Sequence, residues 1–183
     1  ARLMDPDDES VGAGYESWPG WEDAAVAPER LADYLTDFEG LLETHALTGV
    51  MYGHFGAGCM HVRITFDLRT DSGRDTMRRF CTDAAHLVVR HGGSLSGEHG
   101  DGRARSQLLP IMYSTGMLAA FAAFKHIWDP AGLLNPGSIV DAAAIADDLA
   151  LAGVPDREWP TMYRLPLVHE VQGCIGVGRC RST

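Results

Sequence analysis

The residues best placed by type and spacing to do chemistry are Glu98 and His99, flanked by Gly97 and Gly100. They lie in the stretch 92–105, which holds five glycines. Glycine at this density lets a backbone adopt positive φ or crowd against another group. The stretch therefore presents an acid and an imidazole where a ligand or cofactor can approach closely, as functional loops do. The alternative is a polar surface loop with incidental charges. A second pair of candidates, His54 and His61, brackets the turn 53–58. If that turn closes a hairpin, the two histidines stand close to opposite each other, with Cβ atoms about 4.5–5.5 Å apart. Imidazoles so placed can share one metal ion; otherwise each caps or packs a strand end.

These residues need a frame. Leu31, Tyr34, Leu35, Phe38, Leu41 and Leu42 recur at helical spacing after Pro28, which predicts an amphipathic helix to Thr44. Val50–Tyr52 reads as a short strand, and Met60–Phe66 as a second with Val62, Ile64 and Phe66 on one face and His61, Arg63 and Thr65 on the other. Residues 71–91 form the clearest helix, capped by Asp71 or Ser72 and ended by Gly92, with Met77, Phe80, Ala84, Leu87 and Val88 as its buried stripe. A further helix over 114–128 turns Met117, Leu118, Phe121, Phe124 and Ile127 or Trp128 inward, and Asp129-Pro130 stops it. Residues 141–150 can form one last short helix. Cys81 falls on an apolar helix face and reads as core; His86 and His91 read as structural.

Composition sets the outer limits. With 183 residues, 45% of them hydrophobic, the chain can bury a core. Its net charge of −10 argues against a nucleic-acid partner. No apolar run is long enough for a transmembrane helix. Local basic residues, including Arg63, Arg69, Arg90, Arg103 and Arg105, suit a pocket for a small anion. The four cysteines show no disulfide spacing, which suggests a cytoplasmic chain. The chain divides into an irregular acidic segment (1–27), a principal domain (28–141), a short helix and linker (142–172) and a terminal segment (173–183). An opening without methionine suggests a piece of something larger.

Three ordered motifs carry a resemblance: Gly53-His54-x6-His61, then Ser96-Gly97-Glu98-His99-Gly100-x-Gly102, then Asp129-Pro130-x3-Leu134-Asn135-Pro136-Gly137. Together they resemble the C-terminal domain of FAD-linked oxidases of the vanillyl-alcohol-oxidase type, a family that includes D-2-hydroxyglutarate, D-lactate and glycolate dehydrogenases. The resemblance covers residues 28–141. It implies an α+β fold, a ferredoxin-like antiparallel sheet covered by helices, as a partial domain of a larger enzyme. It implies that this domain caps a flavin held mostly by a separate N-terminal domain and forms the substrate site.

By the same resemblance His54, His61 and Glu98 correspond to ligands of a divalent metal, usually zinc. His99 corresponds to the base that takes the substrate hydroxyl proton, and Asn135, with Gly97 and Gly100, to positions beside the flavin. The implied reaction oxidises a 2-hydroxy acid to the 2-oxo acid, with hydride passing from Cα to FAD. Imidazole suits the base role near neutral pH, and a metal on the substrate's hydroxyl and carboxylate lowers the hydroxyl pKa. Arg63 and Arg103 are candidates to hold the carboxylate. The family pattern Gly-His-x-Gly-Asp-Gly-Asn-x-His is altered here, with Ala57 for Asp and Cys59 for Asn. Cys59 is either a neutral substitution or an additional soft ligand. The tail, with Cys174 and Cys180, resembles the opening of an iron–sulfur region in large fused oxidases, which implies a 4Fe-4S cluster in the full-length parent. The implied partners are the 2-hydroxy-acid substrate and the FAD-binding and iron–sulfur domains of that parent, in the cytoplasm or peripheral at the inner face of the membrane. The readings from another class are a non-catalytic metal-binding domain and a structural module.

Overall fold

The computed structural model describes residues 17–149. Cys174, Cys180 and the terminal segment proposed for an iron–sulfur region lie outside the described residues, as does the acidic run at residues 5–9. The described chain forms β1 (Trp18–Ala25), α1 (Leu31–Thr44), β2 (Gly49–His54), β3 (Cys59–Ile64), α2 (Asp71–Arg90), the short α3 (Gly102–Arg105) and α4 (Leu109–Met112), and α5 (Thr115–Trp128). The fold is α+β, as expected.

Three strands form one antiparallel sheet in the order β1-β3-β2. An isolated antiparallel bridge joins Ala25 to Ser94, through Ala25 N–H to Ser94 O at 3.0 Å and Ser94 N–H to Ala25 O at 2.7 Å. Ser94 thus occupies the free edge of β1. The order of elements matches the split βαβ arrangement expected of a ferredoxin-like sheet, with the fourth strand reduced to one bridge. That bridge ties the glycine-rich stretch to the sheet.

The two helical stripes behave as their spacing predicts. Leu31, Tyr34, Phe38 and Leu42 of α1 are buried, as are Met77, Phe80, Cys81, Ala84, Leu87 and Val88 of α2. Phe80 is the hub: it meets Phe38 edge-on at 5.8 Å and Phe66 at 5.6 Å between ring centroids. Met60, Val62 and Ile64 of β3 enter the same core, because alternate residues of a strand face one way. Each such burial contributes roughly 1.5–3 kcal/mol.

Several expectations are corrected. The segment expected to be irregular to residue 27 contains β1, whose Trp21 is fully buried and donates from Nε1 to the Tyr34 hydroxyl at 3.2 Å. Aromatic burial outweighs the local acidic composition there. The cap of α2 is Thr70, whose hydroxyl accepts from Gly73 N–H at 3.1 Å, one residue before the expected candidates. The face of α5 expected to point inward is largely uncovered: Phe124 is 65% and Trp128 72% exposed, and no residue of α5 is buried. Only Leu118 and Phe121 are partly covered, Phe121 lying edge-on to Tyr113. Among the described residues that face is therefore covered only in part. Residues 141–149 form turns rather than a helix; Asp141 and Asp148 take positive φ, which a right-handed helix does not accommodate.

Candidate functional site

The site begins with an irregularity in β1. Trp21 pairs with Val62 and Ala24 with Met60, so Glu22 and Asp23 together face His61 alone. This is a β-bulge, a device that re-aims side chains and is frequent beside functional sites. Asp23 takes φ +74°, in the left-handed region that a short polar side chain tolerates better than most. Its backbone N–H lies 3.1 Å from His61 Nδ1.

The Asp23 carboxylate organises the glycine-rich loop. It accepts from Glu98 N–H at 2.9 Å, from His99 N–H at 2.8 Å, from the Ser96 hydroxyl and from Cys59 Sγ at 3.3 Å. Burial opposes ionisation, but the hydrogen bonds from Ser96, His99, Glu98 and Cys59 hold this carboxyl below its usual range. Gly97 N–H adds a bond to Asp23 O at 2.7 Å. Residues 97–99 are therefore pinned to the bulge, which fixes where Glu98 and His99 point.

Glu98 is the meeting point. Its Oε1 lies 3.2 Å from His61 Nε2, 3.5 Å from His99 Nε2 and 3.6 Å from His54 Nε2. His61 and His99 stack at 4.8 Å between centroids, with planes 14° apart. His61 is buried, while His54 and His99 are exposed. The hairpin register differs from expectation: His61 pairs with Tyr52, and His54 with Cys59. The two histidines are diagonal rather than opposite, 6.4 Å apart by ring centroid, because β2 runs to residue 54 and the 3-10 turn Phe55–Ala57 closes directly on β3. Gly58 makes that closure possible, with φ +72° and no room for a Cβ, which would sit 1.9 Å from Val26 O.

Among the described residues, two groups have potential ligand atoms all within 4.8 Å of one another: Asp23, His61 and His99, and Cys59, His61 and Glu98. His61 is common to both. His54, expected as a ligand, reaches the cluster through Glu98 but belongs to neither of these tighter groups.

Three further residues emerge that the sequence reading passed over. Glu22 Oε2 lies 3.1 Å from His61 Nδ1, and the Tyr52 hydroxyl donates to Glu22 Oε1 and Oε2 at 3.3 and 3.2 Å. Burial, then the Glu22 charge, raises the Tyr52 hydroxyl pKa and keeps it a donor. His61 Nδ1 thus faces an N–H from Asp23 and a carboxylate from Glu22. In one tautomer Nδ1 accepts from Asp23 and Nε2–H points at Glu98. In the other Nδ1–H donates to Glu22 and the Nε2 lone pair is free for a metal. The signal for Glu22-Asp23 was a strand hidden in a segment with no clean period.

The remaining candidates fall outside this cluster. Arg63 shares a strand face with Cys59 and His61, and its guanidinium donates to Ser17 O at 2.8 Å. Arg103 turns to the 144–148 segment, bonding Ala144 O, Asp147 O and Asp148 Oδ2 at 3.2–3.4 Å. Its contacts there compete with a role at the cluster. Gly97 has a packing reason of its own: a Cβ would meet Ala25 Cβ at 2.8 Å and Cys59 Sγ at 3.2 Å. Gly100 takes φ +85° in open space. Asn135 takes φ +45° and lines a groove with Gly102, Phe121, Phe124, Leu134 and Ile139. Arg105 is buried under β1, with Nη2 donating to Glu22 O at 2.6 Å and its guanidinium 4.5 Å above the Trp21 ring, so it braces the bulge from behind.

Comparison with known proteins adds independent findings. A family model described as "FAD linked oxidases, C-terminal domain" matches residues 2–139. The chain is 35% identical over 167 residues to a D-2-hydroxyglutarate dehydrogenase of Escherichia coli (strain K12), covering 88% of this chain and 16% of that protein. It is 39% identical over 131 residues to a D-2-hydroxyglutarate dehydrogenase of Pseudomonas putida, covering 72% of this chain and 13% of that protein. It is 31% identical over 136 residues to the glycolate oxidase subunit GlcD of Escherichia coli (strain K12), covering 66% of this chain and 27% of that protein. The chain therefore spans a small part of the length of these relatives.

Proposed function

We propose, from the premise that the chain belongs to the family of FAD linked oxidases, C-terminal domain, that it forms the substrate-side half of an FAD-dependent enzyme oxidising a D-2-hydroxy acid to the 2-oxo acid. The observation that carries this reading is the convergence of three histidines on one Glu98 oxygen within 3.6 Å. An acid among imidazoles, two of them exposed, suits proton abstraction beside a divalent cation.

The donor chemistry fits a divalent metal. His61 and Glu98 offer a borderline nitrogen and a hard oxygen, and His54 approaches from the hairpin tip. A metal bound there would favour the alkoxide form of a substrate hydroxyl. Glu22 would hold the His61 ring in the tautomer that leaves Nε2 free, and Tyr52 would hold Glu22. His99, exposed and stacked on His61, would take the hydroxyl proton at a ring nitrogen, with Glu98 steadying the resulting charge. FAD, when bound, accepts the hydride. Asn135 and the exposed apolar residues of α5 and the 133–139 turn are where this chain would face the flavin and the domain that carries it. Arg63, on the same strand face as His61, is the better placed of the two arginines to meet a substrate carboxylate.

The test uses the full-length parent protein. Anaerobic mixing with D-2-hydroxyglutarate, D-lactate and glycolate should bleach the flavin absorbance for at least one of them, and His99→Asn should slow that bleaching by about 100-fold or more. Absence of bleaching with every 2-hydroxy acid would leave a non-catalytic metal-binding domain or a structural module as the surviving readings.

A further inference from the structure

Cys59 is buried at the start of β3, on the strand face it shares with His61. Its sulfur lies within 4.8 Å of ligand atoms of both His61 and Glu98. Space around the sulfur is maintained by the bare Gly97, whose absent Cβ would stand 3.2 Å from it.

We propose that Cys59 is a metal ligand in this chain, so that its metal centre is a mixed thiolate, imidazole and carboxylate site built from Cys59, His61 and Glu98. This rests on the metal reading proposed above and extends it. When the ion binds, the Sγ–H bond breaks, the proton passes to solvent and a metal–sulfur bond forms. Cys59 gives up its hydrogen bond to Asp23 Oδ1; that oxygen keeps its bond from the Glu98 N–H, and Oδ2 keeps its bond from the His99 N–H. A soft thiolate shifts preference towards zinc, cobalt and cadmium and away from manganese and magnesium, which favour all-oxygen shells.

Cobalt(II) reports the ligand directly. The 183-residue chain carrying Cys174→Ser and Cys180→Ser, which removes the tail thiols, is titrated with cobalt and its near-ultraviolet spectrum recorded. The expected result is a thiolate-to-cobalt charge-transfer band that disappears when Cys59→Ser is added, while visible d–d bands persist. Cys59→Asn, which replaces the thiol by an amide, is the second variant, and should also lose the band and narrow the preference for cadmium over manganese by at least about tenfold. Cobalt bound without the band, or a band that survives both Cys59 substitutions, overturns the Cys59 assignment and leaves the metal site standing. No cobalt binding at all overturns the metal site and the Cys59 assignment together.

Discussion

Asp23 and His61 meet across a β-bulge, with the Asp23 backbone N–H 3.1 Å from His61 Nδ1. This contact couples the sheet to the loop. The residue whose backbone touches the buried imidazole also uses its side chain to hold Glu98 and His99. Replacing Asp23 by Ala leaves two backbone N–H groups and a hydroxyl short of their acceptor. The expected loss is about 2–4 kcal/mol of stability, since each unsatisfied buried group costs roughly 1–3 kcal/mol. Asp23→Asn, which keeps one acceptor oxygen, should lose less. Urea unfolding of the two variants gives the comparison, and equal losses would mean that the one remaining amide oxygen cannot stand in for the carboxylate.

Glu22→Gln tests the proposed support of His61. A carboxylate behind a ligating imidazole fixes its tautomer, and removing such support typically costs 10–100-fold in metal affinity. Competition with a chromophoric chelator should show a loss of at least about tenfold for Glu22→Gln and a smaller one for Tyr52→Phe. Unchanged affinity in Glu22→Gln would mean that the Glu22 charge does not select the tautomer that leaves His61 Nε2 free.

Glycines at three positions should respond in opposite directions. Gly97→Ala drives a methyl against Ala25 and the Cys59 sulfur, which is overpacking and should cost about 1–3 kcal/mol. Gly100→Ala has open space but φ +85°, and should cost about 1–2 kcal/mol. Gly40→Ala, in the middle of α1 with nothing nearby to meet, should stabilise by about 0.5–1 kcal/mol. Thermal melts order the three.

Acid should release the turn after α5 late. The Asp129 carboxylate accepts from Lys125 Nζ at 2.7 Å and from the N–H groups of Leu133 and Leu134 at 2.8 and 2.9 Å. The Lys125 bond, then the two backbone bonds, lower its pKa from 3.8 to about 2. A depressed carboxyl contributes stability that is full above its ordinary pKa and is lost as pH falls through the folded value. The amide NMR shifts of Leu133 and Leu134 should therefore hold down to about pH 4 and move with a midpoint near 2. Asp129→Asn should abolish that transition. A midpoint at 3.8 would mean that the Lys125 bond does not persist in solution.

Much of the frame was legible because it is local. The stripes of α1 and α2 and the alternation of β3 are periodic in sequence, and periodic apolar residues bury together. The motif residues were legible by type: a glycine-flanked Glu98-His99 pair and two histidines around a turn. The inward face expected of α5 was misread for the same reason that it was visible. Periodicity identifies an apolar face but not what lies against it, and in residues 17–149 little does.

By itself the sequence determined which groups were available: an acid and an imidazole in a glycine-rich loop, two histidines around a turn, and a thiol, Cys59, between those histidines. Tertiary structure alone decided how they meet. The register of β1 against β3 leaves Glu22 and Asp23 opposite one residue, and no local period encodes a bulge, because it is a mismatch between two strands separated by some 40 residues. From that mismatch follow the carboxylate behind His61, the anchor for Glu98 and His99, and the Asp23 oxygen that accepts from Cys59. Pairing across the sheet is a non-local choice made by core burial of Trp21, Met60 and Val62, and the site takes its geometry from the register that this burial selects.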